Sequence, residues 1–489
     1  MAGKHQVEPL FVKHNIKFNS KKPISHCKIQ NGVVLIGLQS QSLQHIRIQT
    51  GKFTDIPLNL ASNDKIAYIH LDYRGSHAII STELGENYYM NMKTVALKPL
   101  WRLKGHTISA VGFNAERATD QETSFIVLGT NKGTLMETNI ASSGSASYAK
   151  RLSSNLVENA PISSINIVPY SLDNDLSWLL IVCTPGRLYC IPGTLNVEAM
   201  EKVVSQPVVG TVWTSSLVEQ QAAVLQNFFS AKSNPRYHSL GDQKDEKPSD
   251  VVIFPTCIEE ITLPERYCWL ASEGVSLGHF ETTRTDGFDI INEDWFRKHD
   301  LSEGKYNYPL SVALSEYHIF MIYQEKFVAI SILDQKVAFE DVFMDASNVL
   351  GMCRDATSEF IWIFSENGLF YYRPDRETRD VWKVLIERNE FSKARKIAKQ
   401  MADKRPYQIV LKKEAEKFLN DNNFVAAAEL LAQSTEPFEN TVLKFLKNPN
   451  SRDSRNGLKR YLELKLDALD KRVRFLVLRI LKTFYWEKI

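Results

Sequence analysis

The chain has 489 residues, 44% hydrophobic and 24% charged, a composition close to that of ordinary globular proteins and far from that of disordered ones. Its 59 Lys and Arg against 57 Asp and Glu leave a formal net charge of +2, which argues against a general nucleic-acid binder and against an acidic solvating protein. The length exceeds one compact core, because single domains stop growing near roughly 250–300 residues unless a repeat extends them.

The start, Met1 to Pro9, lacks the apolar stretch of a secretory signal, and no window approaches the roughly 18 uninterrupted apolar residues of a spanning helix. Any work at a membrane is therefore expected through peripheral docking. The six cysteines, Cys27, Cys183, Cys190, Cys257, Cys268 and Cys353, are sparse and mostly embedded in apolar, strand-like runs. That pattern fits reduced core thiols in a cytosolic protein better than a disulfide framework.

In chain order, Phe11 to Phe18 alternates like an unpaired strand. Seven strand–turn–strand units follow: Val33 to Ile48, His77 to Met92, Phe125 to Ile140, Leu180 to Ile191, Cys268 to Phe280, Ile319 to Leu333 and Phe360 to Tyr372. The third is the clearest, with Asn131-Lys-Gly133 between its arms and a glycine that tolerates positive φ. Their turns recur roughly every 40–55 residues, the period of propeller blades with about four strands each. A seven-bladed β-propeller over 1–375 is expected, with the amino-terminal strand closing a last blade that lacks its outer strand. A wider gap at about 214–250 reads as an insertion between blades four and five, containing a short helix over Ser216 to Phe229 and a polar loop over Gly241 to Asp250.

After Pro374 the hydrophobic period changes, and glycine falls to Gly457 alone. Helices are predicted at about 380–388, 391–403, 407–420, 423–433, 437–447, 455–469 and 471–487, which makes 380–489 the start of an α-solenoid of helical hairpins. Phe391-x-x-Ala394-x-x-x-Ala398 recurs 33 residues later as Phe424-x-x-Ala427-x-x-x-Leu431, a large and a small residue on one face. The last predicted helix is too apolar for a solenoid end, so the natural chain is expected to continue beyond Ile489.

For each candidate chemistry the structural reading is favoured. Cys183 and Cys190 flank a hairpin turn and could face each other, but Cys-x6-Cys without a second pair is poor zinc spacing. His106, in a Gly-His pair like that opening a WD40 blade, reads as a structural hydrogen-bonding residue, since no nucleophile motif accompanies it. Asp289, Glu293 and Asp294 could do acid–base work in a pocket, but a loop at a helix start explains them better. Trp269, Trp362, Tyr371 and Tyr372 read as packing between blades. Between Arg388 and Lys417 stand ten Lys or Arg and four Asp or Glu, read as a solvated helical face, with an acidic partner or anionic lipid as the alternative. No phosphate-binding, dinucleotide, hydrolase or metalloprotease motif occurs. The candidate list therefore holds no catalytic, cofactor-binding or metal-binding residue.

Propeller followed by solenoid is shared by vesicle coats, nuclear-pore scaffolds, ciliary transport trains and endolysosomal tethers, so architecture alone does not choose. Particular segments do. Arg379-Asp-Val-Trp-Lys-Val-Leu-Ile-Glu-Arg-Asn-Glu-Phe-Ser-Lys-Ala-Arg395 resembles the entry to the solenoid in the vacuolar protein sorting 18 (deep orange) family. Leu71 to His77, Lys98 to Asn114, Leu128 to Thr134, Phe424 to Ala428 and Phe438 to Leu446 are also similar, so the resemblance runs from about Phe11 to the end and covers that family's amino-terminal half.

The resemblance implies a non-catalytic core subunit of the two hexameric tethers of endosomes and lysosomes, the homotypic fusion and vacuole protein sorting complex (HOPS) and its early-endosomal counterpart (CORVET). It implies other tether subunits as partners, Rab GTPases and SNARE proteins as direct or indirect ones, and peripheral association with the cytosolic face of late-endosomal, lysosomal or vacuolar membranes. No cofactor, nucleic acid or zinc is implied for this stretch, because the carboxy-terminal RING-type Cys-x-x-Cys pattern of the family is absent from it. A coat or pore scaffold and a peptide-binding propeller remain the alternatives.

Overall fold

The computed structural model describes residues 9–16, 22–114, 118–144, 146–152, 156, 160–172, 175–196, 224–229, 236–239, 249–255, 264–283, 287–297, 308–343, 348–447 and 451–468. The chain forms two compact units, Met1–Asp375 and Arg376–Ile489.

The first unit is a seven-bladed β-propeller of seven four-stranded antiparallel sheets. Blades 1 to 6 each take four consecutive strands, over Ile24–Pro57, Ile66–Pro99, Ile108–Arg151, Ser164–Ser239, Asp250–Arg297 and Ser311–Val342. Blade 7 combines Val349–Arg354, Ile361–Ser365 and Gly368–Arg373 with the amino-terminal strand Val12–Asn15, which pairs antiparallel with the last of these, Val12 opposite Arg373 and Asn15 opposite Phe370. The first strands of successive blades pack against one another all the way round and so line the central channel.

The middle two strands of each blade are the ones the sequence announces. His77–Thr82 and His318–Ile322 are buried at every position, because blades sandwich them on both faces. Strands buried on both sides read as continuous apolar runs. The fourth strands, such as Val337–Val342, lie at the rim with exposed and half-buried residues mixed and carry a weak pattern.

The core is a ring of interfaces. Leu35, Leu43 and Ile56 of blade 1 meet Ile66, Ala78 and Met90 of blade 2, and comparable clusters fill each following junction to Trp362 of blade 7 against Ile24, Cys27 and Ile36 of blade 1. Each such buried aliphatic or aromatic side chain contributes about 1.5–3 kcal/mol of transfer free energy.

The segment read as an insertion between blades 4 and 5 is placed differently. Arg236–Ser239 is the outer strand of blade 4, paired with Arg187–Gly193, so the long connection lies inside that blade. Of the expected helix over Ser216 to Phe229, residues 224–229 are described and hold the 3₁₀ turn Gln226–Phe229. The buried Glu137 carboxylate accepts the Val224 and Leu225 N–H groups at 2.9 and 2.8 Å, and Leu225 and Phe228 enter the core between blades 3 and 4. The rest of that helix, and residues 241–248 of the polar loop, lie outside the described residues.

The second unit contains α1 (Val381–Glu387), α2 (Phe391–Gln400), α3 (Arg405–Asn420), α4 (Phe424–Gln433), α5 (Phe438–Leu446) and α6 (Arg452–Asp467). The predicted helix over 471–487 lies outside the described residues. α6 begins three residues before its predicted start because the Ser451 hydroxyl caps it, accepting the Ser454 N–H at 3.3 Å. The 33-residue repeat is structural: Phe391, Ala394, Ala398, Phe424, Ala427 and Leu431 are all buried. Before each phenylalanine an asparagine, Asn389 or Asn422, takes the left-handed conformation that ends the preceding helix.

Candidate functional site

The sequence candidates are dispersed by the fold. Cys183 lies opposite Leu188 and Cys190 opposite Ile181, so the two cysteines are offset in register, and both are buried between blades 4 and 5. Burial pushes the Cys183 thiol up to about 12, which suits a core residue rather than a nucleophile or metal ligand. Among the described residues no cluster of His, Cys, Asp and Glu could hold a metal ion.

His106 departs from its expected role. Its side chain is exposed, and the structural hydrogen bonds of that loop come from the buried Asn87, whose amide donates to the carbonyls of Gly85, Leu103 and His106 at 3.1, 2.8 and 2.8 Å. The buried histidine of this region is His77, bonded through Nδ1 to the Tyr89 hydroxyl at 2.7 Å and through Nε2 to the Thr119 carbonyl at 2.6 Å. Sequence reading gives it no role, although it closes the Leu71 to His77 segment of the resemblance, because its partners Tyr89 and Thr119 lie 12 and 42 residues away.

Asp289, Glu293 and Asp294 do not stand in a loop at a helix start. They belong to the outer strand of blade 5, Gly287–Arg297, with Asp289 opposite Glu281 and Asp294 opposite Leu277. Strand pairing prevails there over the turn propensity of Asp and Asn. Trp269, Trp362 and Tyr372 are buried at blade junctions, as read from their strands, and Tyr371 packs half-buried against Trp362 with ring centroids 4.7 Å apart.

In the basic stretch every carboxylate is paired: Glu390 with Arg388 and Lys393, Asp403 with Arg405, Glu414 with Arg395 and Glu416 with Lys413. The Arg395–Glu414 pair, at 3.1 Å, ties α2 to α3 across a largely buried contact, and burial pushes the Glu414 carboxyl up against the pull of that arginine. The remaining exposed lysines, Lys396 and Lys399 among them, face solvent.

Two groupings were not legible beforehand. On the innermost strands, the charge of the exposed Lys28 adds to burial in lowering His26 beside it and His70 of the adjoining blade 2, and pulls against the upward shift that burial gives Asp250 of blade 5 and Cys353 of the adjoining blade 7. Burial, with help from Lys28, lowers His70 to about 4 and keeps the imidazole neutral, while burial raises Asp250.

The second grouping is a set of turn caps. Asp355 accepts the N–H groups of Asn31 and Gly32 at 2.9 and 3.3 Å, that of Thr357 at 3.0 Å and the Ser358 hydroxyl at 2.9 Å, joining blade 7 to blade 1. Asp72 accepts from Ser76 and His77 at 2.6 and 2.7 Å, and Ser315 from His318 at 3.0 Å, at the equivalent turns of blades 2 and 6. These polar side chains stabilise the ring. They are not arranged as a nucleophile with its base.

A closed ring of seven blades followed by helical hairpins, with Asp72, Asp355 and Ser315 capping equivalent turns, defines a protein of the propeller-and-solenoid class. Residues 9–373 match the Pep3/Vps18/deep orange β-propeller domain, and residues 377–484 match the first half of the VPS18 α-solenoid domain. The chain belongs to the Pep3/Vps18/deep orange family. It is 31% identical over 483 residues to the vacuolar protein sorting-associated protein 18 homolog of Caenorhabditis elegans, covering 94% of this chain and 47% of that protein. It is 25% identical over 473 residues to the Danio rerio homolog, covering 94% and 45%, and 24% identical over 468 residues to vacuolar sorting protein 18 of Arabidopsis thaliana, covering 90% and 43%. The chain spans about half the length of the curated relatives it matches.

Proposed function

We propose that this chain is a non-catalytic scaffold subunit of the membrane-tethering complexes of endosomes and lysosomes or vacuoles, serving vacuolar protein sorting. The observation that carries the reading is family membership over both units, with the propeller match and the solenoid match meeting at the domain junction. The chemistry of the described residues is consistent with it: Cys27, Cys183, Cys190 and Cys268 are buried thiols, Asp72 and Asp355 cap turns and Glu414 pairs with Arg395, while Cys257 lies outside the described residues.

In this reading the chain acts through geometry. A rigid ring presents fixed loops, helical hairpins present side-chain faces to other subunits, and the assembly holds Rab-bearing membranes and SNARE proteins together so that their encounter becomes effectively intramolecular. No helix among the described residues is long and apolar enough to cross a membrane. In this reading the chain is recruited to the cytosolic face of the endosome or lysosome by contacts with other subunits.

Fractionation of cells expressing the tagged chain tests this. Co-sedimentation with late-endosomal and lysosomal membranes, released when the other tether subunits are depleted, is the expected result. Retention on coated vesicles or at the nuclear envelope would assign the chain to another scaffold.

A further inference from the structure

Two loops on one face of the ring hold large apolar side chains out in solvent. Trp101, 68% exposed, stands in the turn Trp101–Leu103 that carries the chain from blade 2 to blade 3, and Leu84, 56% exposed, tips the hairpin between the second and third strands of blade 2. Isolated exposed apolar residues are ordinary. This pair differs in how firmly its backbone is fixed.

The Gly105 N–H donates to the Gly85 carbonyl at 2.9 Å, the Leu100 N–H to the Asn87 carbonyl at 2.7 Å, and the Asn87 amide gathers three carbonyls of the two loops. A Cβ on Gly85 would lie 2.9 Å from the Gly105 carbonyl carbon, so the close approach requires glycine there, and the positive φ of Gly105 favours glycine opposite it. Buried Asp64 accepts the Lys65 and Leu84 N–H groups at 2.9 and 3.1 Å, and buried Leu100 and Leu103 anchor the turn from below. Lys104 crosses between the loops, 2.7 Å from Glu86 and 5.9 Å from the centre of the Trp101 ring. The backbone beneath Trp101 and Leu84 is therefore ordered before any partner arrives, which lowers the entropy lost on binding. Tryptophan is among the residues enriched at binding hot spots.

The charges around the pair select the occupant. Lys65, Arg102, Lys104 and, on the neighbouring hairpin joined through Asn131 N–H to the Thr107 carbonyl, Lys132 stand against Glu83 and Glu86, with the Asp64 carboxylate turned inward and His106 exposed on the same turn. The surface is net positive. Two apolar side chains on folded loops offer little area to bury in a bilayer, which favours a protein partner. We propose that the Trp101–Leu84 patch docks a short acidic segment of a partner protein through one large apolar side chain laid against Trp101. This inference stands apart from the tethering reading, since complex membership is measured separately.

An array of synthetic acidic peptides, each with one Trp, Phe or Leu, is probed with the full chain beside the same peptides with their acids replaced by lysine, the same peptides lacking the apolar residue, and vesicles containing phosphatidylserine. Acidic peptides with an anchor are expected to bind, more weakly as salt rises, and to lose about tenfold or more in affinity with Trp101→Ala. Leu84→Ser and Lys132→Glu, which leave the loop hydrogen bonds in place, are expected to weaken the same peptides. Equal binding by wild type and all three variants, no peptide retained, or retention of vesicles alone would overturn the proposal.

Discussion

At the scale of the residue, the ring depends on a few polar side chains that sequence pattern does not single out. Asp355 is legible only as one acidic residue among many, and its four hydrogen bonds to two blades emerge when residues more than three hundred positions apart are brought together. Asp355→Ala leaves N–H groups of both blades without an acceptor and is expected to destabilise the propeller by about 2–3 kcal/mol in urea unfolding, with Asp355→Asn costing less. An unchanged midpoint for both variants would show that water replaces the carboxylate at no cost. His70 makes a pH prediction. Its folded-state value, lowered to about 4 by burial, lies below that of the unfolded chain, so the unfolded state binds more protons between these limits. Stability contributed by neutral His70 is present above the unfolded value near 6.5, falls as pH drops towards about 4, and is fully lost below it. His70→Gln is expected to lose less stability than wild type between pH 7 and pH 4.5, measured as paired thermal melts. Parallel pH profiles would remove His70 from this role.

At the scale of the element, legibility followed burial. The hairpins read from sequence are the second and third strands of each blade, which neighbouring blades cover on both faces. The first strands carry channel-facing residues such as Lys28, and the fourth are half-exposed, so neither produces a clean apolar period. Blade 4's outer strand was read as part of an insertion for the same reason. Val12–Asn15 completes blade 7, and Phe11 just before it is buried edge-on against Phe320, with ring centroids 5.3 Å apart. Phe11→Ala is expected to cost about 3–5 kcal/mol. Deleting residues 1–16 uncovers the Gly368–Arg373 edge and is expected to give soluble oligomers by size exclusion with light scattering, whereas a stable monomer would show the strand to be dispensable. In the second unit the single glycine has a reason that periodicity concealed: a Cβ on Gly457 of α6 would meet the Phe424 carbonyl oxygen at 2.7 Å and carbonyl carbon at 2.9 Å, at the start of α4. Gly457→Ala gains up to about 1 kcal/mol of helix propensity yet is expected to destabilise the unit by about 1–3 kcal/mol through separation of the two helices. A raised midpoint would mean that α4 and α6 slide apart freely.

At the scale of the whole molecule, the fold class was readable because repetition multiplies a weak local signal, seven hairpins and then a 33-residue helical repeat. Family membership was readable through resemblance alone, since no catalytic motif in the sequence points to a function. The local surfaces required three dimensions: Lys28 with His70 on adjoining blades, and Trp101 with Leu84 on one face of the ring, come from positions that no motif joins. Affinity purification of this chain from cytosol in mild salt, with mass spectrometry of what accompanies it, tests the proposed function most directly. Recovery of Rab-linked tether subunits together with endosomal SNARE proteins is the result expected of a tethering scaffold; recovery of coat or nuclear-pore subunits in their place would contradict it.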